Sequence, residues 1–161
     1  MSKLVIRHGL SGANDKERYG TPAFGNPQAS LMHAGVEQAT QLGEFLTEKF
    51  GIVVQDEPVA VSEMLRTQET AIFAGFRILT IYPELNEEKG GLSDAAVRKA
   101  LNTRHSPEAV IRAARLIIEN PPTENVLITH AFVIATICKE LGVYGSLRFH
   151  PKFCEVRELP L

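Results

Sequence analysis

The chain has 161 residues, 44% of them apolar and 22% charged, with a formal net charge of −2. That length suits one domain with a core large enough to need no staple. The charge balance lacks the basic footprint of a nucleic-acid binder, and no apolar run approaches the ~20 residues that span a bilayer.

The elements follow in chain order. Residues 3–8 read as a buried strand that delivers Arg7-His8-Gly9. Residues 10–30, rich in Gly, Pro, Asn and Ser, read as a long irregular loop, and loops of that length in compact domains are usually functional. Residues 34–50 carry Val36, Ala39, Leu46 and Phe50 at helical spacing, with Gly51 placed to end the helix. Pro58 to Val61 is a second strand with Ser62 at its exit, and 64–75 a second helix. A third strand is expected from Ile78 to Tyr82, then the polar stretch Pro83 to Gly91, and a helical segment from Ser93 to Asn102. Ser106-Pro107-Glu108 reads as a capped helix start, the helix running to Asn120 and stopping at Pro121-Pro122. Asn125 to Thr129 is a fourth strand ending in His130, followed by a helix from Ala131 to Leu141 closed by Gly142. Phe153 to Leu159 is expected as a last, edge strand.

Strands alternating with helices predict an α/β fold, a three-layer αβα sandwich around a largely parallel sheet, over a single domain 1–161. Ligands in such sheets bind outside the carboxyl ends of the strands. Arg7-His8, Ser62 to Arg66 and His130 all stand at strand exits, so a parallel sheet would bring them to one edge. A carboxylate from residues 84–88 would arrive there too. Two guanidiniums and two imidazoles around one cavity suit a phosphoryl group, because arginine matches its oxygens bidentately. Histidine attacks phosphorus only when neutral, and the charges of Arg7 and Arg66 would hold down the pKa of His8. Attack would form a phosphohistidine, with one carboxyl group serving first as acid and then as base.

Singly, each residue has a plainer reading. Arg7 and Arg66 could lie on the surface, His8 and His130 could be bonded strand ends, and Glu84, Glu87 and Glu88 could form a solvated loop. Joint placement at one edge is what distinguishes the site.

Five ordered segments carry a resemblance to the histidine phosphatase superfamily, in the branch related to cofactor-dependent phosphoglycerate mutases. They are Arg7-His8-Gly9 with Ser11 and Asn14, Leu31 to Ala39, Ser62 to Ala71, Leu85-Asn86-Glu87, and Val126 to His130. The resemblance implies that His8 is the nucleophile and that Arg7, Arg66 and His130 hold the phosphoryl group. It implies Glu87 as the proton donor, with Glu84 as the alternative, and Ser11 and Asn14 as contacts to the substrate or its phosphate. No metal and no cofactor are implied.

The expected activity is a metal-independent phosphatase, since the chain looks short beside the mutases and an open site would admit water to the phosphohistidine. The substrate is either a phosphorylated small molecule or a phosphoprotein. A protein phosphohistidine phosphatase, a phosphoglycerate-type mutase and a catalytically silent phosphate binder are the alternatives. No nucleic-acid or membrane partner is expected, and the oligomeric state is left open. The two cysteines, Cys138 and Cys154, stand in no CxxC pair, and no secretory segment precedes the first strand; a cytoplasmic setting is expected.

Other residues read as structural. His33, His105 and His150 are expected to face solvent, and Cys138 to pack in the core. Lys16 and Arg18 read as solvated loop charges, Tyr19 as either a pocket wall or a loop anchor, and Phe132 as packing beneath its helix.

Overall fold

Leu4, Val5 and Ile6 alternate about the plane of a strand, and both sides of that plane are buried. The same holds for Val59-Ala60-Val61 and Val126-Leu127-Ile128. Period-two alternation with apolar groups on both faces calls for helices above and below the sheet. The computed structural model, described for residues 2–14, 26–87, 99, 102–103, 106–143 and 150–161, has that form. Among these residues the strands are β1 (Lys3–Arg7), β2 (Pro58–Val61), β3 (Ile78–Ile81), β4 (Val126–Thr129) and β5 (Val156–Leu159). The helices are α1 (His33–Phe50), α2 (Leu65–Ala74), α3 (Glu108–Glu119) and α4 (Ala131–Leu141).

The sheet order is β3-β2-β4-β1-β5. Strands β1 to β4 run parallel, and β5 pairs antiparallel with β1 at the edge. On one face Leu4, Ile6, Val59, Val61, Val126 and Ile128 pack with Leu42 and Leu46 of α1 and Ala71 and Ala74 of α2. On the other, Val5, Ala60 and Leu127 meet Val110, Ala114 and Ile117 of α3 and Val133, Ile134 and Ile137 of α4. The three-layer αβα architecture and the edge position of the last strand are as the sequence predicts. Helix α4 is buried on every side from Ala131 to Cys138, which is why its sequence is apolar throughout.

Three local expectations change. Ser106 does not cap α3; its hydroxyl lies 2.5 Å from Thr136 Oγ1 on α4, and Pro107 stands at the cap position. The last strand begins at Val156, because Phe153 and Cys154 form a turn in which Cys154 adopts φ 57°. His150 is not simply solvent-facing, since its ring stands edge-on to Phe132 at 4.7 Å. The helix expected from Ser93 to Asn102 lies outside the described residues apart from Lys99 and Asn102, which are helical. Lys16, Arg18, Tyr19, Glu88 and His105 also lie outside them.

Helices α1 and α2 approach closely because Gly43 has no side chain. A Cβ there would stand 2.1 Å from the carbonyl oxygen of Ala74. Backbone cannot yield as a flexible side chain would, so Gly43→Ala is expected to cost about 1–3 kcal/mol, the usual size of an overpacking defect. Urea unfolding checks this; an unchanged midpoint would mean that the two helices are not held at this distance.

Candidate active site

Parallel registration sets the site. Arg7 pairs with Thr129, so the next residues, His8 and His130, leave the sheet side by side. The backbone N–H of His8 donates to the carbonyl of Thr129 at 3.1 Å. The two imidazoles meet at 5.1 Å between centroids with 63° between planes. The convergence expected from the strand exits is present.

The turn after β1 packs against the start of α1 through two glycines. A Cβ on Gly9 would stand 2.8 Å from the carbonyl oxygen of Gly35, and one on Gly35 would stand 2.0 Å from that of Leu10. Thr70 of α2 holds the same turn, accepting from the N–H of Gly9 at 2.9 Å and donating to the carbonyl of Arg66 at 2.6 Å. The carbonyl of Gly9 lies 2.7 Å from His8 Nδ1. A carbonyl only accepts, so Nδ1 carries the proton and Nε2 keeps a free lone pair. Burial, then the charges of Arg66 and Arg7, hold the His8 imidazole well below its ordinary pKa of 6.5.

Arg66 sits in the first turn of α2 and is 1% exposed. One of its nitrogens, Nη2, donates to Glu87 Oε2 at 3.4 Å. Arg7 donates from Nη1 to the carbonyl of Pro151 at 2.8 Å, and its guanidinium lies 3.8 Å from the centroid of the Phe153 ring. Burial lowers its pKa to about 10, which leaves it charged at neutral pH. The residues after β4 complete the group. His130 is fully buried, with Nε2 2.9 Å from Ser62 Oγ and Nδ1 3.9 Å from Glu87 Oε2. Burial, Arg66, His8 and Arg7 all push its pKa well below 6.5, so the contact with Glu87 is not an ion pair.

The structure separates the glutamates. Glu84 is exposed, in a 3₁₀ turn over Pro83–Leu85, whereas Glu87 is 8% exposed and faces Arg66 and His130. Two contacts aim it. Thr129 Oγ1 donates to the carbonyl of the buried Leu85 at 2.6 Å. Asn86 accepts from the N–H of Glu63 at 2.9 Å, tying the loop to the start of α2. Burial raises the Glu87 carboxyl above its ordinary 4.5, opposed by Arg66, Arg7 and the N–H of Phe132.

Ser11 and Asn14 sit near the turn but face each other. Ser11 donates to Asn14 Oδ1 at 2.6 Å, and among the described residues no hydrogen bond joins either to the histidine–arginine group. Three participants could not be read from the sequence. Pro151 and Phe153 act on Arg7 from a segment without periodicity, and Phe132 offers Glu87 a backbone N–H.

Among the described residues, the buried side-chain nitrogens without a partner are Arg7 Nε, Arg66 Nε and Nη1, and His130 Nδ1. All belong to this one cluster. Buried polar atoms are normally satisfied, and donors left open together, beside two cations, form a seat for an oxyanion. Among the same residues no group of three His, Cys, Asp or Glu could hold a metal ion, and no helix is long and apolar enough to cross a membrane.

No curated protein matches the sequence significantly. Of the solved structures, TTHB049 from Thermus thermophilus is 21% identical with a TM-score of 0.70, covering 99% of this chain and 94% of that one. The product of open reading frame Rv3214 from Mycobacterium tuberculosis is 23% identical with a TM-score of 0.63, covering 98% and 90%. A phosphoglycerate mutase from Thermus thermophilus is 21% identical with a TM-score of 0.61, covering 100% and 99%. These likenesses are of fold. Residues 4–115 match the family profile of the histidine phosphatase superfamily (branch 1), whose members are phosphatases or mutases. The chain belongs to that superfamily.

Proposed function

We propose that the protein is a phosphatase that hydrolyses a phosphomonoester through a phosphohistidine on His8, without a metal. The observation that carries this reading is the cluster of open donors around a neutral imidazole. The phosphoryl group would take the open nitrogens of Arg7, Arg66 and His130, with its phosphorus facing His8 Nε2. Fixed donors stabilise the charge that spreads over the equatorial oxygens as transfer proceeds. The Nε2–P bond forms as the ester P–O bond breaks, and the leaving oxygen takes the proton of Glu87. Water then attacks phosphorus, passing its proton to the Glu87 carboxylate, and the N–P bond breaks to release phosphate. Ser11 and Asn14 would border the substrate rather than the phosphoryl group.

Glu87 can serve both half-reactions of hydrolysis alone, as acid to the leaving oxygen and then as base to water. A mutase would return the phosphoryl group to an acceptor; a phosphohistidine protein would enter by the same chemistry as a small ester; and a silent binder would hold phosphate without turnover. The decisive experiment uses a panel of phosphorylated metabolites and one phosphohistidine protein, with chelator present, on wild type and His8→Ala. Wild type is expected to release phosphate and to form an acid-labile phosphoenzyme in rapid-quench mixing; His8→Ala is expected to do neither. Isomerisation of a phosphoglycerate without phosphate release would make it a mutase. Arg66→Ala should lower kcat/KM by roughly 10³, the scale of other phosphate-clamping arginines, and a loss under tenfold would remove Arg66 from the site.

The pKa directions fix the shape of the pH profile. His8 must be neutral, and its lowered pKa places the acidic limb well below 6.5. Glu87 must be protonated, and its raised pKa places the alkaline limb above 4.5. Rates with an alkyl phosphate should therefore fall as pH rises past the Glu87 limb. Glu87→Gln should lose that limb and slow the alkyl ester much more than an activated aryl phosphate, which leaves without a proton. Equal losses on both substrates would assign Glu87 another role.

A further inference from the structure

Ser62 opens the segment that carries Arg66, yet the transfers above give it no part. Its side chain is fully buried against an equally buried imidazole, with Oγ 2.9 Å from His130 Nε2. The neighbouring contacts are few enough to trace every proton. Ser62 Oγ accepts from the N–H of Met64 at 3.1 Å and lies 2.9 Å from Thr67 Oγ1. Thr67 Oγ1 accepts from the N–H of Ser62 at 3.2 Å and has two carbonyls within reach of its own proton, that of Met64 at 2.9 Å and that of Ser62 at 3.3 Å.

Ser62 has one hydroxyl proton and two candidates for it. Given to Thr67, it obliges His130 Nε2 to carry a proton and donate to Ser62, while Thr67 donates to Met64. Given to His130, it requires Nε2 to be bare. Both orders satisfy the hydroxyls, so the far side of the ring decides. There Nδ1 has no partner and faces Glu87 Oε2 at 3.9 Å, beside the open arginine donors. Oε2 accepts from Arg66, so a proton on Glu87 belongs on Oε1, and a lone pair on Nδ1 would set acceptor against acceptor there and against any bound oxyanion. An imidazolium would satisfy both sides, but burial and three cationic or titratable neighbours, Arg66, His8 and Arg7, oppose the charge.

We propose that Ser62 is a positioning residue that donates to His130 Nε2, fixing His130 as the Nδ1–H tautomer so that Nδ1 donates to an oxygen of the bound phosphoryl group. The two histidines then share one tautomer and use it from opposite ends. His8 spends its Nδ1–H on the carbonyl of Gly9 and offers the Nε2 lone pair to phosphorus. His130 has its Nε2 lone pair occupied by Ser62 and offers Nδ1–H to oxygen. A nucleophile and a hydrogen-bond donor are thus made from the same neutral ring.

The role of Nδ1 rests on the phosphatase reading; the tautomer itself does not. Long-range 1H–15N correlation spectra of the 15N-labelled, ligand-free enzyme at neutral pH report which ring nitrogen is protonated, with His130→Gln assigning the signals. A protonated Nδ1 and a bare Nε2 are expected. A proton on Nε2, alone or with one on Nδ1, overturns the proposal. Ser62→Ala should release the tautomer and lower kcat by roughly 10–100-fold, as losing the outer partner of a metal-bound imidazole does. Ser62→Thr, which keeps the hydroxyl, should restore both the tautomer and most of the rate. Retention of the Nδ1–H tautomer in Ser62→Ala also overturns the proposal. An enzyme with the expected tautomer and no phosphohistidine would sink the phosphatase reading alone, and a phosphoenzyme with a proton on Nε2 would sink only the role of Ser62.

Discussion

Two guanidinium groups, Arg7 and Arg66, are folded out of water with one buried carboxyl group, that of Glu87, against Arg66 and two neutral imidazoles alongside. Burying charge is costly unless it is paired and hydrogen-bonded. Here the pairing is partial. Glu87 meets one edge of Arg66, the carbonyl of Pro151 meets one edge of Arg7, and the Phe153 ring covers a face of Arg7. The open nitrogens that remain suit an anion able to accept several hydrogen bonds at once. An anion bound to the folded state alone would add to stability by mass action, so the site is a weak point in the empty protein and a strong one in the liganded protein.

The rest of the fold serves that cluster. Parallel pairing of β1 with β4 sets the histidines side by side, and α2 approaches both of them from one direction. Ser62, Arg66 and Thr70 follow one another at intervals of four, which near a helix start places them along one side. Ser62 contacts His130, Thr70 holds the turn beside His8, and Arg66 lies between them in sequence with its guanidinium in the site. One stretch of chain therefore contacts His130, holds the turn beside His8 and supplies one of the two buried guanidiniums.

Much of this was legible in the sequence because it depends on period and order. Apolar alternation in β1, β2 and β4 fixed the sheet, and glycines at positive φ closed α1 and α4 where expected, at Gly51 and Gly142. The convergence of His8 with His130 followed from topology alone. The choice between Glu84 and Glu87 did not, since it depends on which residue of an irregular turn points inward. Leu85 is the buried anchor there, and the bond from Glu63 to Asn86 sets the direction of the next residue. Ser106 misled for a similar reason: its cap-like position is real, but a threonine on α4 competes for its hydroxyl. Phe153 and His150 were illegible because a short return before an edge strand carries no pattern, and their partners are more than a dozen residues away in sequence.

That return nevertheless governs Arg7. The family profile ends at residue 115, whereas Pro151, Phe153 and Cys154 all act on the end of β1. The N–H of Cys154 donates to the carbonyl of Arg7 at 2.9 Å, fixing the backbone, while ring and carbonyl fix the guanidinium. The conformation at Cys154, with φ 57°, is one that non-glycine residues adopt at a cost. The turn holds it because β5 is locked to β1 on one side and the Arg7 contacts on the other. The orientation of Arg7 and the seating of the last strand are therefore coupled: loosening β5 releases the ring and the carbonyl that hold the guanidinium in the cluster.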